Sequence, residues 1–386
     1  MTEWIECTLD KLGEIVGGAT PSTKCEDYYG GSIPWITPKD LSSFKGRYIT
    51  SGERNITEKG LASCSAQMMP KDAVLFTSRA PIGYVAIASQ SVCTNQGFKS
   101  IVVNEKADPL FVYYLLKYNK DAIEAMGSGT TFKEVSGKTM RAVKVRIPLD
   151  VSYQKRIAAV LDSLDTKIEN NERINDNLQQ QAAALFSSLY DRSNTEVRFT
   201  NLIQILGGGT PKTGENTYWN GNIAFFTPKD VGIPYTLITE KTISKEGLSH
   251  CNSRLYPVNT VFVTARGTVG KVGMSGVPMA MNQSCYALVG KETHQLLVYF
   301  YTLKAVDRLK HKASGAVFDA ITTRDFESEQ IMKLSDDDAT AFLCVAEPMF
   351  QEILNNNIEN LRLSTLRDSL LPKLMSGEID VSAVQL

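Results

Sequence analysis

The sequence is poor in the residues that build reactive centres. Its three His (His250, His294 and His311) are far apart, and its seven Cys are scattered, odd in number and without a Cys-x-x-Cys spacing. This speaks against a zinc ribbon or a disulfide framework, and reduced thiols in a cytoplasmic chain are expected. No run approaches the roughly 18 unbroken apolar residues of a membrane span, so no membrane partner is expected. The start, Met-Thr-Glu-Trp-Ile-Glu, has neither the basic residues nor the apolar run of a secretory signal. There is no Gly-x-x-x-x-Gly-Lys-Ser/Thr, no Gly-x-Gly-x-x-Gly and no Gly-x-Ser-x-Gly, so phosphate-loop, dinucleotide and nucleophile-elbow chemistry have no support. The Asn/Asp-Pro-Pro-aromatic signature of amino-methylating enzymes and a paired-carboxylate nuclease pattern are also missing. A basic excess is lacking too: 41 Lys and Arg stand against 42 Asp and Glu. A stand-alone nucleic-acid binder is usually basic. Any DNA contact must therefore come from positive charge gathered on one face, or from partner subunits. The chain reads as a non-enzyme, with no metal and no cofactor.

What is present is ordinary globular material, 43% hydrophobic and 22% charged over 386 residues, enough for two domains with connectors. The organising stretch is 152–191. Ile157, Leu161, Leu164 and Ile168 are spaced four, three and four apart, and the rhythm continues through Asn171, Asn175, Leu178, Ala182, Leu185 and Leu189. That is a heptad seam with two polar positions near its middle. No Pro or Gly interrupts it, and such a helix would be roughly 57 Å long. A second stripe near the C-terminus matches it: Ile353, Asn355, Asn356, Leu363, Leu370, Leu371 and Leu374 fall on Ile168, Asn170, Asn171, Leu178, Leu185, Phe186 and Leu189. Two such helices in one chain predict an antiparallel coiled coil whose Asn residues set the register at some cost in stability.

The repeat extends far beyond the helices. Gly-Gly-Ala-Thr-Pro at Gly17 returns as Gly-Gly-Gly-Thr-Pro at Gly207, and Thr-Pro-Lys-Asp at Thr37 returns at Thr227. Thr-Ser-Arg-Ala-Pro-Ile-Gly ending at Gly83 matches Thr-Ala-Arg-Gly-Thr-Val-Gly ending at Gly270, and Asn95-Gln96 matches Asn282-Gln283. Ser-Gly-Thr-Thr-Phe at 128–132 matches Ser-Gly-Ala-Val-Phe at 314–318. A period this long means duplication of a whole domain. Within each copy the pattern is α+β. Strands are expected over 33–37 and 223–227, strand–loop–strand units over 73–88 and 261–274, and helices over 108–124 and 293–312. Thr37-Pro38-Lys39-Asp40 reads as a cap that opens a helical turn. Gly17-Gly18 and Gly207-Gly208 suit positive φ.

The recurring polar residues suit nucleic-acid contact. Lys39 and Lys229 follow the cap and are expected to point outward. Arg79 and Arg266 sit in loops between apolar strands. Lys24, Arg47 and Arg54 occupy the first copy's early loops, as Lys212 and Arg254 do in the second, and Lys271 follows Gly270. Lys and Arg neutralise phosphates, and Arg also contacts guanine edges. Each of these residues also fits scattered surface charge. Asn95-Gln96 and Asn282-Gln283 fit either adenine readout or bonds to buried backbone. Tyr28-Tyr29 and Tyr218-Trp219 fit loop anchoring better than base stacking. Gly267 to Lys271 reads as a hairpin turn, since Val272 stands where a phosphate loop needs Ser or Thr.

The two copies of Gly-Gly-x-Thr-Pro…Thr-Pro-Lys-Asp, the two of Thr-x-Arg-x-x-x-Gly and the two long helices together resemble the specificity subunit of type I restriction-modification systems, over nearly the whole chain. The resemblance implies two target recognition domains (1–151 and 193–340), a central spacer helix (152–192), a C-terminal spacer helix (341–377) and a tail (378–386). It implies that each domain reads one half of a split, asymmetric site on double-stranded DNA. Two methyltransferase subunits, and restriction subunits with them, would dock on the chain. Two rivals remain at this level: a DNA methyltransferase with an unrecognised cofactor site, and a coiled-coil adaptor that binds only proteins.

Overall fold

The computed structural model describes residues 3–129, 133–232, 234–312 and 320–384. The repeated segments at 130–132 and 314–318 lie outside the described residues. The chain divides into two compact units, Met1–Glu169 with Arg362–Leu386, and Asn170–Leu361.

In the first unit a five-stranded sheet runs in the order Gly13–Gly17, Lys99–Val103, Val74–Ser78, Ile82–Ala88, Tyr48–Ile49. A three-stranded sheet follows the order Arg54–Ile56, Tyr29–Ile36, Cys93–Thr94, and Trp4–Thr8 pairs antiparallel with Lys144–Pro148. The second unit repeats this strand for strand. Its five are Ile203–Gly207, Cys285–Gly290, Val261–Thr264, Val272–Ser275 and Tyr235–Thr236. Its three are Lys241–Ile243, Trp219–Phe226 and Met279–Met281, and Thr195–Arg198 pairs with Gln330–Lys333. The middle strands read as unbroken apolar runs because both faces are covered. Side chains alternate across a strand. Val74 and Phe76 therefore enter one core with the helix Pro109–Tyr118, while Leu75 enters another on the opposite face. Val261 and Val263 are separated from Phe262 in the same way.

Several expectations are revised. The helix expected over 108–124 is two, Pro109–Tyr118 and Lys120–Ala125, broken at Asn119, whose amide turns back to the Leu115 carbonyl at 2.8 Å. Thr37-Pro-Lys-Asp does open the short helix Pro38–Ser42, but its copy at Thr227 closes a turn and no helix follows. There the chain is pulled aside, with Gly232 N–H and the Asp230 carbonyl both bound to Thr236 Oγ1. Gly17, Gly18, Gly207 and Gly208 are not among the positive-φ glycines. The C-terminal helix starts at Asp336, ahead of 341, because Ser335 Oγ accepts from Asp338 N–H and three Asp fill the first turn, where the helix dipole favours them. The segment expected as a tail is packed instead: Val381 is buried, its N–H bonds Tyr153 Oη at 3.1 Å, and Tyr153 donates to Asp380.

The central helix Val151–Asp191 and the C-terminal helix Asp336–Ser376 pair antiparallel, and each gives one stretch to either unit. In the second unit Asn175 donates to Asn357 and accepts from Asn356, both at 2.9 Å, while Asn171 donates to Glu359 and Asn360. Ile157, Leu161, Leu189 and Leu374 are buried in the seam; Leu164, Ile168, Leu178, Leu185, Leu363 and Leu370 are half-buried. Ala182 and Phe186 go deeper than their neighbours.

The seam also holds a charge. Asp165 is buried, accepting from Tyr114 Oη at 2.8 Å and Arg367 Nη1 at 2.6 Å. Burial, then the Asp165 charge, push the Tyr114 phenol far up, so it remains a donor. Arg47, expected to contact DNA, is only 6% exposed and belongs to this joint. Its guanidinium lies 3.0 Å from Asp162, 3.4 Å from Glu169 and 3.9 Å from Asp165. A cation held this way by a helix is not offered to DNA. The second unit fills the matching positions with rings. Phe300 replaces Tyr114 and Phe350 replaces Asp165, their centroids 5.6 Å apart, while Ala182 stands for Arg367.

Removing one member of a buried ion cluster strands the others. Arg47→Met is therefore expected to cost the first unit about 3 kcal/mol. Hydrogen exchange will show early loss of protection in that unit with the second unchanged.

Candidate nucleic-acid interface

In each unit the repeated motifs meet at one end of the sheets, and backbone hydrogen bonds fix the meeting. Gly17 pairs with Lys99 and Thr77 with Phe98, so the segments after Gly17 and Ser78 and before Lys99 share an edge. Ala19 N–H bonds the Thr94 carbonyl, Asn95 N–H bonds Ile36 and Ser78 N–H bonds Gly97, at 3.0, 3.0 and 2.7 Å. The second unit repeats all three: Gly209 to Met281, Asn282 to Phe226 and Ala265 to Ser284, at 3.1, 3.0 and 2.8 Å.

Side chains complete the lock. Asn95 Oδ1 accepts from Gly97 N–H and Asn282 Oδ1 from Ser284 N–H, so both Asn serve the backbone. Thr20 donates to Gln96 and Thr210 to Gln283, which ties the Gly-Gly-x-Thr-Pro loop to the Asn-Gln loop. Tyr29 Oη donates to the Pro21 carbonyl and Trp219 Nε1 to that of Lys212, which makes both loop anchors. Gly18 and Gly208 are needed for space. A Cβ on either would overlap the carbonyls of Thr94 and Asn95, or of Met281 and Asn282. Asp40 accepts from Thr37 Oγ1 and N–H and, 2.8 Å away, from Glu53 N–H; Asp230 does the same for Thr227 and Glu240.

On this frame Lys39 and Lys229 are 78% and 80% exposed, beside Glu53 at 2.6 Å and Glu240 at 3.6 Å. Arg79 is half-buried, with Glu134 at 3.8 Å from it and 3.5 Å from Lys99. Arg266, Lys24, Arg54, Lys212 and Arg254 are exposed. Arg54 pairs with Trp35 at the sheet edge, and Arg254 follows Ser253, whose hydroxyl accepts from Met281 N–H. Lys271 does not join the cluster. It lines a groove with Phe186 and Ser187 of the central helix and with Lys304 and Lys310. The preceding loop is a hairpin with Gly267 and Gly270 at positive φ. The acids Glu53, Glu240 and Glu134 were missed by sequence reasoning; the Asp shared by both Thr-Pro-Lys-Asp copies was the available signal for the first two.

Burial pushes the Cys93 and Cys285 thiols up to about 12, so both stay protonated. Among the described residues no group of His, Cys, Asp or Glu has the arrangement of a metal site, and no helix is long and apolar enough to cross a membrane.

The family model for the type I restriction modification DNA specificity domain matches residues 1–180 and again 193–333. The chain belongs to the type I restriction-modification specificity family. It is 30% identical to the type I restriction enzyme MjaIX specificity subunit of Methanocaldococcus jannaschii, over 98% of this chain and 94% of that one. The HindI specificity subunit of Haemophilus influenzae is 24% identical over 73% of this chain and 80% of its own length. The fold is like that of the type I restriction-modification S subunit from M. genitalium, with a TM-score of 0.64, 16% identity and coverage of 97% and 96%. These relatives are specificity subunits rather than methylase or nuclease subunits. Family membership fits the missing catalytic motifs and the duplicated frame alike.

Gly18→Ala or Gly208→Ala is expected to cost about 1–3 kcal/mol through overpacking against rigid carbonyls. Gly207→Ala, whose Cβ meets nothing within 4 Å, should change stability by less than about 0.5 kcal/mol. Chemical unfolding midpoints compare the three.

Proposed function

We propose that this chain is the DNA-reading subunit of a type I restriction-modification complex in the cytoplasm. Each unit's loop pole reads one half of a split, asymmetric site on double-stranded DNA. The paired helices keep the two readers at a set separation. Two methyltransferase subunits dock on the chain, and restriction subunits join them. The observation that carries this reading is the duplicated pole, with the same backbone lock and different loops. Asp40 reaches Glu53 across residues 41–52, while Asp230 reaches Glu240 across only 231–239. One frame with two different outer surfaces suits two different half-sites. Lys39, Lys229, Arg79, Arg266, Lys24, Arg54, Lys212 and Arg254 are the candidate contacts, to phosphates and, for Arg, to guanine edges.

Near-neutral overall charge fits a reader that binds DNA well only within its complex, because phosphate neutralisation drives most of the affinity. The helix pair supports the spacer role by its length. A 41-residue helix extends about 60 Å, whereas successive turns of DNA are roughly 34 Å apart.

Mapping methylated bases in a host that carries the chain with its methyltransferase should reveal a bipartite, asymmetric site. Charge reversal, Arg79→Glu or Arg266→Glu, should lower methylation at least tenfold in the assembled complex. Full-rate methylation by both variants would remove these arginines from the interface.

A further inference from the structure

The lysine of each Thr-Pro-Lys-Asp motif meets an acid in the same way in both units. Lys39 Nζ is 2.6 Å from Glu53 and Lys229 Nζ is 3.6 Å from Glu240. The two acids arrive by loops of different length, yet each is delivered by the same bond, from its own N–H to the motif's Asp, at 2.8 and 2.7 Å. All four side chains are more than half exposed. Exposed pairs of this kind contribute little to stability, typically about 0–1 kcal/mol. Stability is therefore a weak reason for building the pair twice.

Electrostatics supplies a better one. Binding to unrelated DNA is almost entirely contact between cations and phosphates. A carboxylate beside the cation repels an incoming phosphate and competes for the same ammonium. Cognate DNA also gains base-edge contacts that such a carboxylate does not weaken. The acid therefore weakens the electrostatic part of binding by the same amount on any sequence, and that part is nearly all of what holds unrelated DNA.

We infer that Glu53 and Glu240 are affinity-tempering residues at the poles, which keep binding to unrelated DNA weak. Each holds the motif lysine and restrains its contact with phosphate, leaving base-edge contacts to retain cognate DNA. The inference rests on the reading of the poles as the DNA interface.

The test uses the assembled methyltransferase complex with full-length chain. Dissociation constants for the mapped cognate duplex and for a scrambled duplex are measured across a salt series, for wild type, Glu53→Gln, Glu240→Gln and the double variant. Each substitution should tighten binding to both duplexes about 2–5-fold, the range an exposed pair of up to about 1 kcal/mol spans. It should also steepen the salt dependence by up to about 0.9 in log–log slope per site. Lys39→Gln and Lys229→Gln are measured alongside. If the lysine variants weaken binding while the glutamine-for-glutamate variants leave slope and affinity unchanged, the acids only secure the loop and the inference fails. A lowered unfolding midpoint without a slope change leads to the same conclusion. If the lysine variants also leave binding to both duplexes unchanged, the poles are not the DNA interface, and the inference fails with that reading.

Discussion

The first unit depends on a carboxylate buried where its helix pair meets the domain. Asp165 sits in the helix seam, bound by Tyr114, Arg367 and the Arg47 cluster. A buried charge survives only when fully partnered, so this joint tolerates one arrangement of domain and helices. An apolar seam would accept small slips; two hydrogen bonds to one buried carboxylate, from Tyr114 and Arg367, resist them. In the second unit the matching joint is built from stacked and edge-on rings, among them Phe186, Phe300, Phe342 and Phe350. The same geometric task is met by charge in one copy and by dispersion and shape in the other.

The poles separate support from display. Their loops are joined through backbone groups and through Asn95, Asn282, Asp40 and Asp230, which bond backbone in both copies. Because those bonds do not depend on the exposed side chains, the outward residues can differ while the frame persists. That is the physical requirement for one architecture to present two sequence preferences.

Much of this was legible in the residues. The duplication, both long helices and the Asn layer follow from period and spacing. The strand–loop–strand units at Val74 and Val261 follow from their apolar runs; their burial on both faces emerges only from the fold. The pole was half legible: Gly-Gly and Asn-Gln recur, but only coordinates show that Gly18 yields space to carbonyls and does not turn the chain. Arg47 was misread because an arginine in a loop looks like surface charge, while its partners lie more than a hundred residues away on the helix. Asp165 was invisible for a similar reason, since a carboxylate does not read as core. The mismatch of Tyr114 with Phe300 and of Asp165 with Phe350 was its only trace. Boundaries shifted where capping decided them, as at Ser335.

The most direct check on the spacer account lengthens the helices. One heptad is added to the central helix and one to the C-terminal helix at facing levels, and the methylated site is mapped again. Seven residues add about 10.5 Å, close to three base pairs at roughly 3.4 Å each. The account predicts the same two half-sites separated by about three more base pairs. An unchanged separation, with methylation still efficient, would contradict it.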